Sequence, residues 1–432
     1  MKKLYLYLFL DICVFGNDIS FEYLKHSAHE NSHRLKLRSI DTTIEEARLD
    51  SIYSTLYPQL SFGYNGEYNH NLDTTAEGVS VGGTVINSTI SNKDSISLKM
   101  NYELYHFGTT LKQIEMSKNE IAAKKLEACN EETKLHKELL DHYATAQKSQ
   151  SEYRYKSQMH TLRQELYTLK QRLYTAGKES RISVGDEAIR LIDLERDIER
   201  ARMSYDENLI ALSKLSHIDL NLKETQLLPL NTNPEEIRIG SFEESSQAHQ
   251  YQEKILQKNN EISMNERSQL PVISLYYNYY FYGSDKHNAY DAFSNMKPNS
   301  WNTGLSVQWN LFEGFKYNHE SARLHYERDR LYEEYALAKR EFDANTQTKQ
   351  QRLQRLAILT KNETEALNET RSKMKMTQRL REQGEADAVS EVSVKLENLE
   401  RELTLQTESI QHAYEAESLK LQHRGVEECR FK

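Results

Sequence analysis

Proline is scarce in this chain, with five in 432 residues, at positions 58, 229, 234, 271 and 298. The stretches 59–228 and 299–432 therefore lack the strongest helix breaker, which permits helices far longer than those of an ordinary domain. Apolar residues are also few, 38% against 28% charged. That balance excludes a thick globular core and suits elongated helices joined along narrow seams. No segment reaches the ~18 consecutive apolar residues of a transmembrane helix. A basic excess is missing too: the net charge is −9, so no nucleic-acid partner is expected. Three cysteines, Cys13, Cys129 and Cys429, make no disulfide framework, and the sequence alone does not decide whether the last two pair. There is no phosphate-cradling glycine loop, nucleophile elbow or paired-cysteine metal site, so neither an enzyme nor a cofactor or metal is expected. His26, His29, Glu30 and His33 share one face of a helix at ligand-like spacing, but a solvated polar face is the simpler reading.

What is present begins at the N-terminus. Met1-Lys2-Lys3 is a basic start, Leu4–Leu10 a short apolar run, and Val14-Phe15-Gly16 a tolerable cleavage region, which predicts a signal peptide over 1–16. Ile12 is a poor neighbour for a lipid-attachment cysteine at Cys13.

Gln171-Arg172-Leu173 precedes Gly177 as Gln378-Arg379-Leu380 precedes Gly384, an offset of 384 − 177 = 207 residues. Leu104–Gly108 and Leu311–Phe315 keep the same offset, 311 − 104 = 207. Two landmarks with one offset indicate an internal duplication. The reading is a first repeat over 17–220, a linker over 221–240 and a second repeat over 241–432. Each repeat runs from a helix (near 18–57 and 241–268) through a strand pair, a long helix and a returning helix. The strand pairs are placed at 58–107 and 271–312, the long helices at 109–175 and 315–380, and the returning helices at 186–215 and 388–424.

The strands are read from period-two alternation. Leu60, Phe62, Tyr64 and Tyr68 alternate with polar residues or glycine, as do Ile96, Leu98, Met100, Tyr102 and Leu104 after a polar loop at about 71–94. In the second repeat Ile273, Leu275, Tyr277, Tyr279 and Phe281 share one face, and Thr303, Leu305, Val307, Trp309 and Leu311 another. A soluble half-buried sheet would alternate too. Length, aromatic residues at the ends and the lack of any other sheet partner favour membrane strands, with Leu60, Phe62, Tyr64, Ile96, Leu98, Met100, Tyr102, Ile273, Leu275, Tyr277, Leu305, Val307 and Trp309 facing lipid. Four strands cannot close a barrel, and open edges are not tolerated in hydrocarbon. Three copies would supply twelve strands.

The helices carry narrow apolar stripes: Leu162, Leu166, Leu169 and Leu173; Ile189, Ile192, Leu209, Leu212 and Leu215; Leu353, Leu356, Leu359 and Leu367. Gly177 and Gly384 stand where the chain must reverse, and acidic residues gather nearby: Glu179 and Asp186 in the first turn, Glu385, Asp387 and Glu391 in the second. Repeated around a ring, such carboxylates would favour cations at a tunnel mouth. Helix N-capping explains them equally, above all Asp186 and Asp387, which are expected just ahead of the returning helices.

In this order the features resemble the TolC family of outer-membrane efflux proteins over nearly all of the chain. The resemblance rests on Pro58 and Pro271 before the strand pairs, Leu104–Gly108 and Leu311–Phe315 before the long helices, and Tyr174-Thr175-Ala176-Gly177 and Arg381-Glu382-Gln383-Gly384 before the returning ones. It implies an α+β membrane protein: a homotrimer with a twelve-stranded β-barrel in outer-membrane lipid and an α-helical periplasmic tunnel. It further implies docking to a periplasmic adaptor and an inner-membrane transporter, for efflux or type I secretion through a passive conduit. The turn residues Gln171, Arg172, Leu173, Gly177, Gln378, Arg379, Leu380 and Gly384 are the expected docking region. The chain departs from the pattern at Glu313, at Phe315, and at Ser390 and Ser393, which stand where relatives commonly have aperture aspartates. Asp387, Glu391 and Asp186, with those serines, are then the candidate aperture residues. The alternative is a periplasmic coiled-coil scaffold or adaptor with a soluble β-domain.

Overall fold

The structure is a computed structural model, and it describes residues 18–69, 80–81, 84–85, 91–221, 225–230, 237–285 and 288–429. The expected signal segment, most of the polar loop and part of the linker lie outside these residues. In chain order the elements are β1 (Asp18–Ile19), α1 (Phe21–Asn31), α2 (His33–Ser54), β2 (Gln59–Asn69), β3 (Ser80–Val81), β4 (Thr84–Val85), β5 (Ser91–Tyr105), α3 (Thr109–Thr175) and α4 (Arg181–Ser216). Then come β6 (Gln226–Leu227) in the linker and, in the second repeat, α5 (Ser246–Arg267), β7 (Val272–Asp285), α6 (Ala289–Ser294), β8 (Lys297–Gln308), α7 (Lys316–Glu382) and α8 (Ala388–Gln422). The long helices α3 and α7 each have 67 residues, roughly 100 Å at 1.5 Å per residue. The chain divides into two units, one of residues 1–40, 125–249 and 336–432, the other of residues 41–124 and 250–335.

In the first unit the four long helices pack in the order α4–α3–α8–α7. Leu209 and Leu212 of α4 join Leu135, Leu139, Leu140 and Tyr143 of α3 in a core that Phe21 and Leu24 of α1 complete. Met159 and Leu166 of α3 meet Val392 and Leu396 of α8. Leu353 of α7 packs on Ala416 and Leu419 of α8. Tyr143, fully buried, donates its hydroxyl to the carbonyls of Ile19 and Leu228 at 2.9 and 2.7 Å, which fixes the short parallel β1–β6 pair beside the core. Three expected seam residues lie elsewhere: Ile189, Ile192 and Leu359 are exposed within the single chain. Their helices α4 and α7 are the outer ones of the row, so their second apolar face has no partner inside one copy.

In the second unit the four long strands form one antiparallel sheet in the order β2-β5-β7-β8, and β3 and β4 make a separate two-stranded ribbon. The β5–β7 pairing joins the two repeats. The outer margins of β2 and β8 are open. Beside the sheet, α5 is tied to α3 by Asn119, which donates to Glu253 at 2.8 Å, and to α7 by Lys258–Glu327 at 2.8 Å.

Element boundaries correct the sequence reading in several places, two of which bear on candidate site residues. Helix α4 starts at Arg181, five residues before the expected 186, because Ser180 caps it: its hydroxyl accepts the Ser183 N–H at 3.1 Å. Asp186 therefore lies inside the helix, not ahead of it. Strand β8 starts at Lys297 and ends at Gln308, so Trp309 falls one residue beyond it, where its indole N–H donates to the Gln269 carbonyl at 2.9 Å.

Candidate functional site

Two regions carry the candidate functional residues, the sheet and the pair of helix turns. The register of the sheet sets its faces. Leu60, Phe62 and Tyr64 stand opposite Met100, Leu98 and Ile96. These in turn face Tyr277, Tyr279 and Phe281, while Tyr102 faces Leu275. Leu275 and Ile273 stand opposite Leu305 and Val307. Side chains directly opposite in antiparallel strands share a face, so twelve of the thirteen expected lipid-facing residues form one continuous surface and Trp309 extends it beyond the strand. The other face is polar: Ser61, Lys99, Asn278 and Asn302 lie in one row across it, and Asn278 donates to Asn302 at 2.9 Å.

Irregularities sit at both ends of the sheet. A bulge between Glu103 and Tyr105 puts Tyr105, not Leu104, opposite Ile273, so the expected alternation fails at Leu104. At the loop end, Asp94 occupies a position of apolar parity, missed in the sequence reading. It is buried, and the Tyr64 hydroxyl donates to it at 2.6 Å. Helix α6 covers this end: Phe293 meets the Tyr64 ring edge-on at 6.2 Å, and a Cβ at Gly283 would collide with the Ala292 carbonyl. A glycine there lets the helix lie directly on the strand.

The turns show the duplication at atomic level. Gly177 and Gly384 have φ of +72° and +80°, the left-handed region in which glycine carries no steric penalty. The N–H of Lys178 donates to the Leu173 carbonyl and that of Gly177 to Tyr174, while Glu385 donates to Leu380 and Gly384 to Arg381. This is the paired six-to-one and five-to-two bonding of a Schellman C-cap. The leucine of each Gln-Arg-Leu motif thus supplies the carbonyl that closes the helix. Gln171, Arg172, Gln378 and Arg379 are exposed, and Leu173 and Leu380 half-buried. Ser180 and Asp387, again 207 apart, cap the returning helices; Asp387 accepts the Ser390 N–H at 2.7 Å. Bonds from Ser390 hold the Asp387 carboxyl below its usual value. The turns that open the long helices match as well. Phe107 and Gly108 have φ of +48° and +79°, and Gly314 and Phe315, at the equivalent positions, +63° and +64°.

The carboxylates differ. Asp186 and Asp387 are exposed, as are Ser390 and Ser393, and the Ser393 hydroxyl is turned back on the Val389 carbonyl at 2.7 Å. Glu391 departs from expectation: it is buried, bonded to Arg381 at the end of α7 and to Lys395 at 2.6 Å. Its charge is matched within one chain, and it ties the second turn together. In the first repeat a corresponding tie lies further from its turn. Glu187, fully buried, accepts from Arg163 and Lys170 of α3, each at 3.0 Å. Burial of a glutamate gives no signal in a single sequence, and neither tie was foreseen.

Elsewhere in the first unit the His29 ring meets Glu132 at 2.8 Å and the His33 ring stands edge-on to His217 at 5.3 Å. The described residues hold no group of three or more His, Cys, Asp or Glu arranged to bind a metal ion. No helix among them is long and apolar enough to cross a membrane.

Residues 24–216 match the model of the family described as outer membrane efflux protein. No curated protein matches the sequence. Among solved structures the chain is similar to CusC, described in terms of folding and transmembrane channel formation, with a TM-score of 0.78 at 14% identity over 95% of this chain and 93% of that one. It is similar to the Campylobacter jejuni CmeC outer membrane channel (TM-score 0.78, 14% identity, 95% and 87% covered). It is also similar to the open state of the Neisseria gonorrhoeae MtrE outer membrane channel (TM-score 0.69, 14% identity, 94% and 89% covered). At such identities the likeness is one of fold. Over residues 24–216 the chain is thus similar in sequence to the outer membrane efflux protein family, and over nearly its whole length it has the fold of these outer-membrane channels.

Proposed function

We propose that three copies of this chain form an outer-membrane channel-tunnel that conducts substrates out of the cell. The observation that carries this reading is a matching incompleteness in both units. The sheet ends in open margins at β2 and β8, which hydrocarbon does not tolerate. The helix row ends at α4 and α7, whose outer faces expose Ile182, Ile189, Ile192, Met203 and Ile210 on one side and Leu337, Ile358, Leu359 and Met376 on the other. Unlike margins meet head to tail, and a head-to-tail contact that closes makes a ring. Three copies give twelve strands, enough for a barrel with one face to lipid and the Ser61–Asn302 face to water.

The channel hydrolyses nothing; it is a passive conduit whose far end opens when a periplasmic adaptor, linked to an inner-membrane transporter, packs beside the two turns. The exposed Gln171-Arg172 and Gln378-Arg379 pairs support that docking site. Asp387 and Asp186, with Ser390 and Ser393, are the aperture groups, and Glu391 acts by holding the second turn. Efflux and type I secretion both suit such a conduit.

The test is assembly. Detergent extracts should hold a three-copy complex, and Leu98→Lys and Leu305→Lys should each abolish its insertion, as should Ile189→Lys its helical closure. A monomer soluble without detergent, or normal insertion of both lysine variants, overturns the reading. Planar-bilayer conductance of Asp387→Ala and Asp186→Ala then tests the aperture: unchanged cation selectivity in both rejects those residues.

A further inference from the structure

The cysteine arithmetic left Cys129 and Cys429 unassigned, yet the fold brings them together. They are 300 residues apart in sequence, their Cα atoms lie 5.7 Å apart, and a disulfide joins them. Cys129 sits on α3 of the first repeat, Cys429 on the segment after α8 that ends the second, and both are buried. One turn along α3 from Cys129, Glu132 receives Arg424 of the same segment at 3.0 Å and His29 of α1 at 2.8 Å. Gly425 makes a single β-bridge to Ser245. The segment also walls a cavity of about 740 Å³, to which it contributes Arg424 and Glu427, with Lys25 and His136 opposite. His136 is 4% exposed and its Nε2 has no hydrogen-bond partner.

We propose that Cys129 and Cys429 are an oxidative modification site, and that the bond formed there straps residues 423–429 across α3 beside the cavity. The noncovalent attachments of the segment, among them the Arg424–Glu132 ion pair, the Gly425–Ser245 bridge and the contacts of His423 with Thr346 and Phe342, are of the kind that open locally. A covalent link one turn from Glu132 keeps Arg424 at high effective concentration beside it. The chemistry is thiol–disulfide exchange with a protein disulfide as oxidant. One cysteine thiolate attacks the oxidant's disulfide to give a mixed disulfide, and the other displaces the oxidant's sulfur. The oxidant leaves as a dithiol, having gained the two electrons and two protons that the pair gives up. The availability of such an oxidant rests on the outer-membrane reading, since exported proteins meet an oxidising compartment.

The full-length trimer, isolated without reductant, is denatured and labelled with maleimide-polyethylene glycol before and after reduction. Two additional labels after reduction, absent in Cys129→Ser/Cys429→Ser, are expected. Trypsin cleavage after Arg424, read by mass spectrometry with quenching and reduction, should be at least tenfold faster in reduced wild type and in Cys429→Ser than in the oxidised protein. No gain of labels on reduction, or equal cleavage in the oxidised and reduced states, overturns the proposal. The labelling reads the pair whether or not the chain inserts as a channel, so failure of the channel reading is distinguished by the assembly test alone.

Discussion

Glu187 offers the sharpest test of how the two repeats are held. Its carboxylate is fully buried between Arg163 and Lys170, both mostly buried themselves. Replacing it with valine leaves two cations facing each other without a counter-charge, a change that costs about 3–5 kcal/mol in comparable buried pairs. The second repeat supplies its own control. Because α3 and α7 are of equal length and offset by 207, Arg163, Lys170 and Glu187 correspond to Thr370, Thr377 and Val394. Thr370 and Val394 are buried in their own hairpin, which shows that this fold packs an uncharged set at the same level. The triple substitution Arg163→Thr/Lys170→Thr/Glu187→Val removes the whole ion cluster at once. The loss then comes to roughly 1 kcal/mol or less, since buried ion clusters replaced together are often neutral. Arg163 also reaches Glu400 at 3.4 Å, but that carboxylate is more than half exposed and the pair contributes little.

The assay is the thermal midpoint of the detergent-solubilised trimer, by intrinsic fluorescence and by SDS-resistant oligomer on gels. Glu187→Val should melt well below wild type and the triple variant close to it, a rescue that only coupled residues can give. A single variant that melts with wild type would show that the carboxylate is not confined as described. A triple variant that melts below the single would show that the repeats are not interchangeable at this level.

Three further outcomes follow from local geometry. Burial, with Arg424, Lys25 and His29 nearby, pushes the His136 ring down to about 3 from its ordinary 6.5. Between those values the unfolded chain binds a proton that the folded one refuses, so stability falls as pH drops from about 6.5 toward 3, by up to about 4–5 kcal/mol at 1.36 per unit; His136→Gln should flatten the melting profile over that range, and an unchanged slope rejects the assignment. A Cβ at Gly177 or Gly384 meets no atom within 4 Å, so alanine there costs only the left-handed backbone, about 1–2 kcal/mol, and asparagine less; equal midpoints for all three residues would refute that origin. Amide hydrogen exchange should be faster at the first turn than at the second, because Lys170 lies seven residues before Gly177 while Arg381 lies three before Gly384; equal protection would show that these ties do not set local stability.

The sheet and the long helices were legible because their signals are periodic. Alternation placed Leu60 through Val307 on one face, and the 207-residue offset carried the turn at Gly177 onto that at Gly384. Boundaries were less so: a serine and an aspartate cap equivalent helices, and Asp186 drew the first cap six positions too late. Buried charge was not legible at all. Glu187, Glu391 and Asp94 read as surface residues until their partners are known, and each has at least one partner on another helix or strand. The Cys129–Cys429 pairing needs the whole fold, since 300 residues separate its ends. Ile189, Ile192 and Leu359 failed in an informative way. Their periodicity marked them for burial, but within one chain they lie on the outer faces of α4 and α7 and stay exposed.

The same distinction changes what the acidic second turn means. Counted by sequence, Glu385, Asp387 and Glu391 make it the more negative of the two and the natural place for a cation-attracting ring. In the fold, Asp387 is engaged with the first N–H groups of α8 and Glu391 is neutralised by Arg381 and Lys395, so the charge mostly stiffens the turn. The first turn has a serine cap, an exposed Asp186 and its tie a further turn away from the glycine. Negative charge and freedom to move are therefore divided between the repeats. In a ring of alternating first and second turns, an opening motion would meet less resistance at the first, while the fixed carboxylate nearest each bend would be Asp387 of the second.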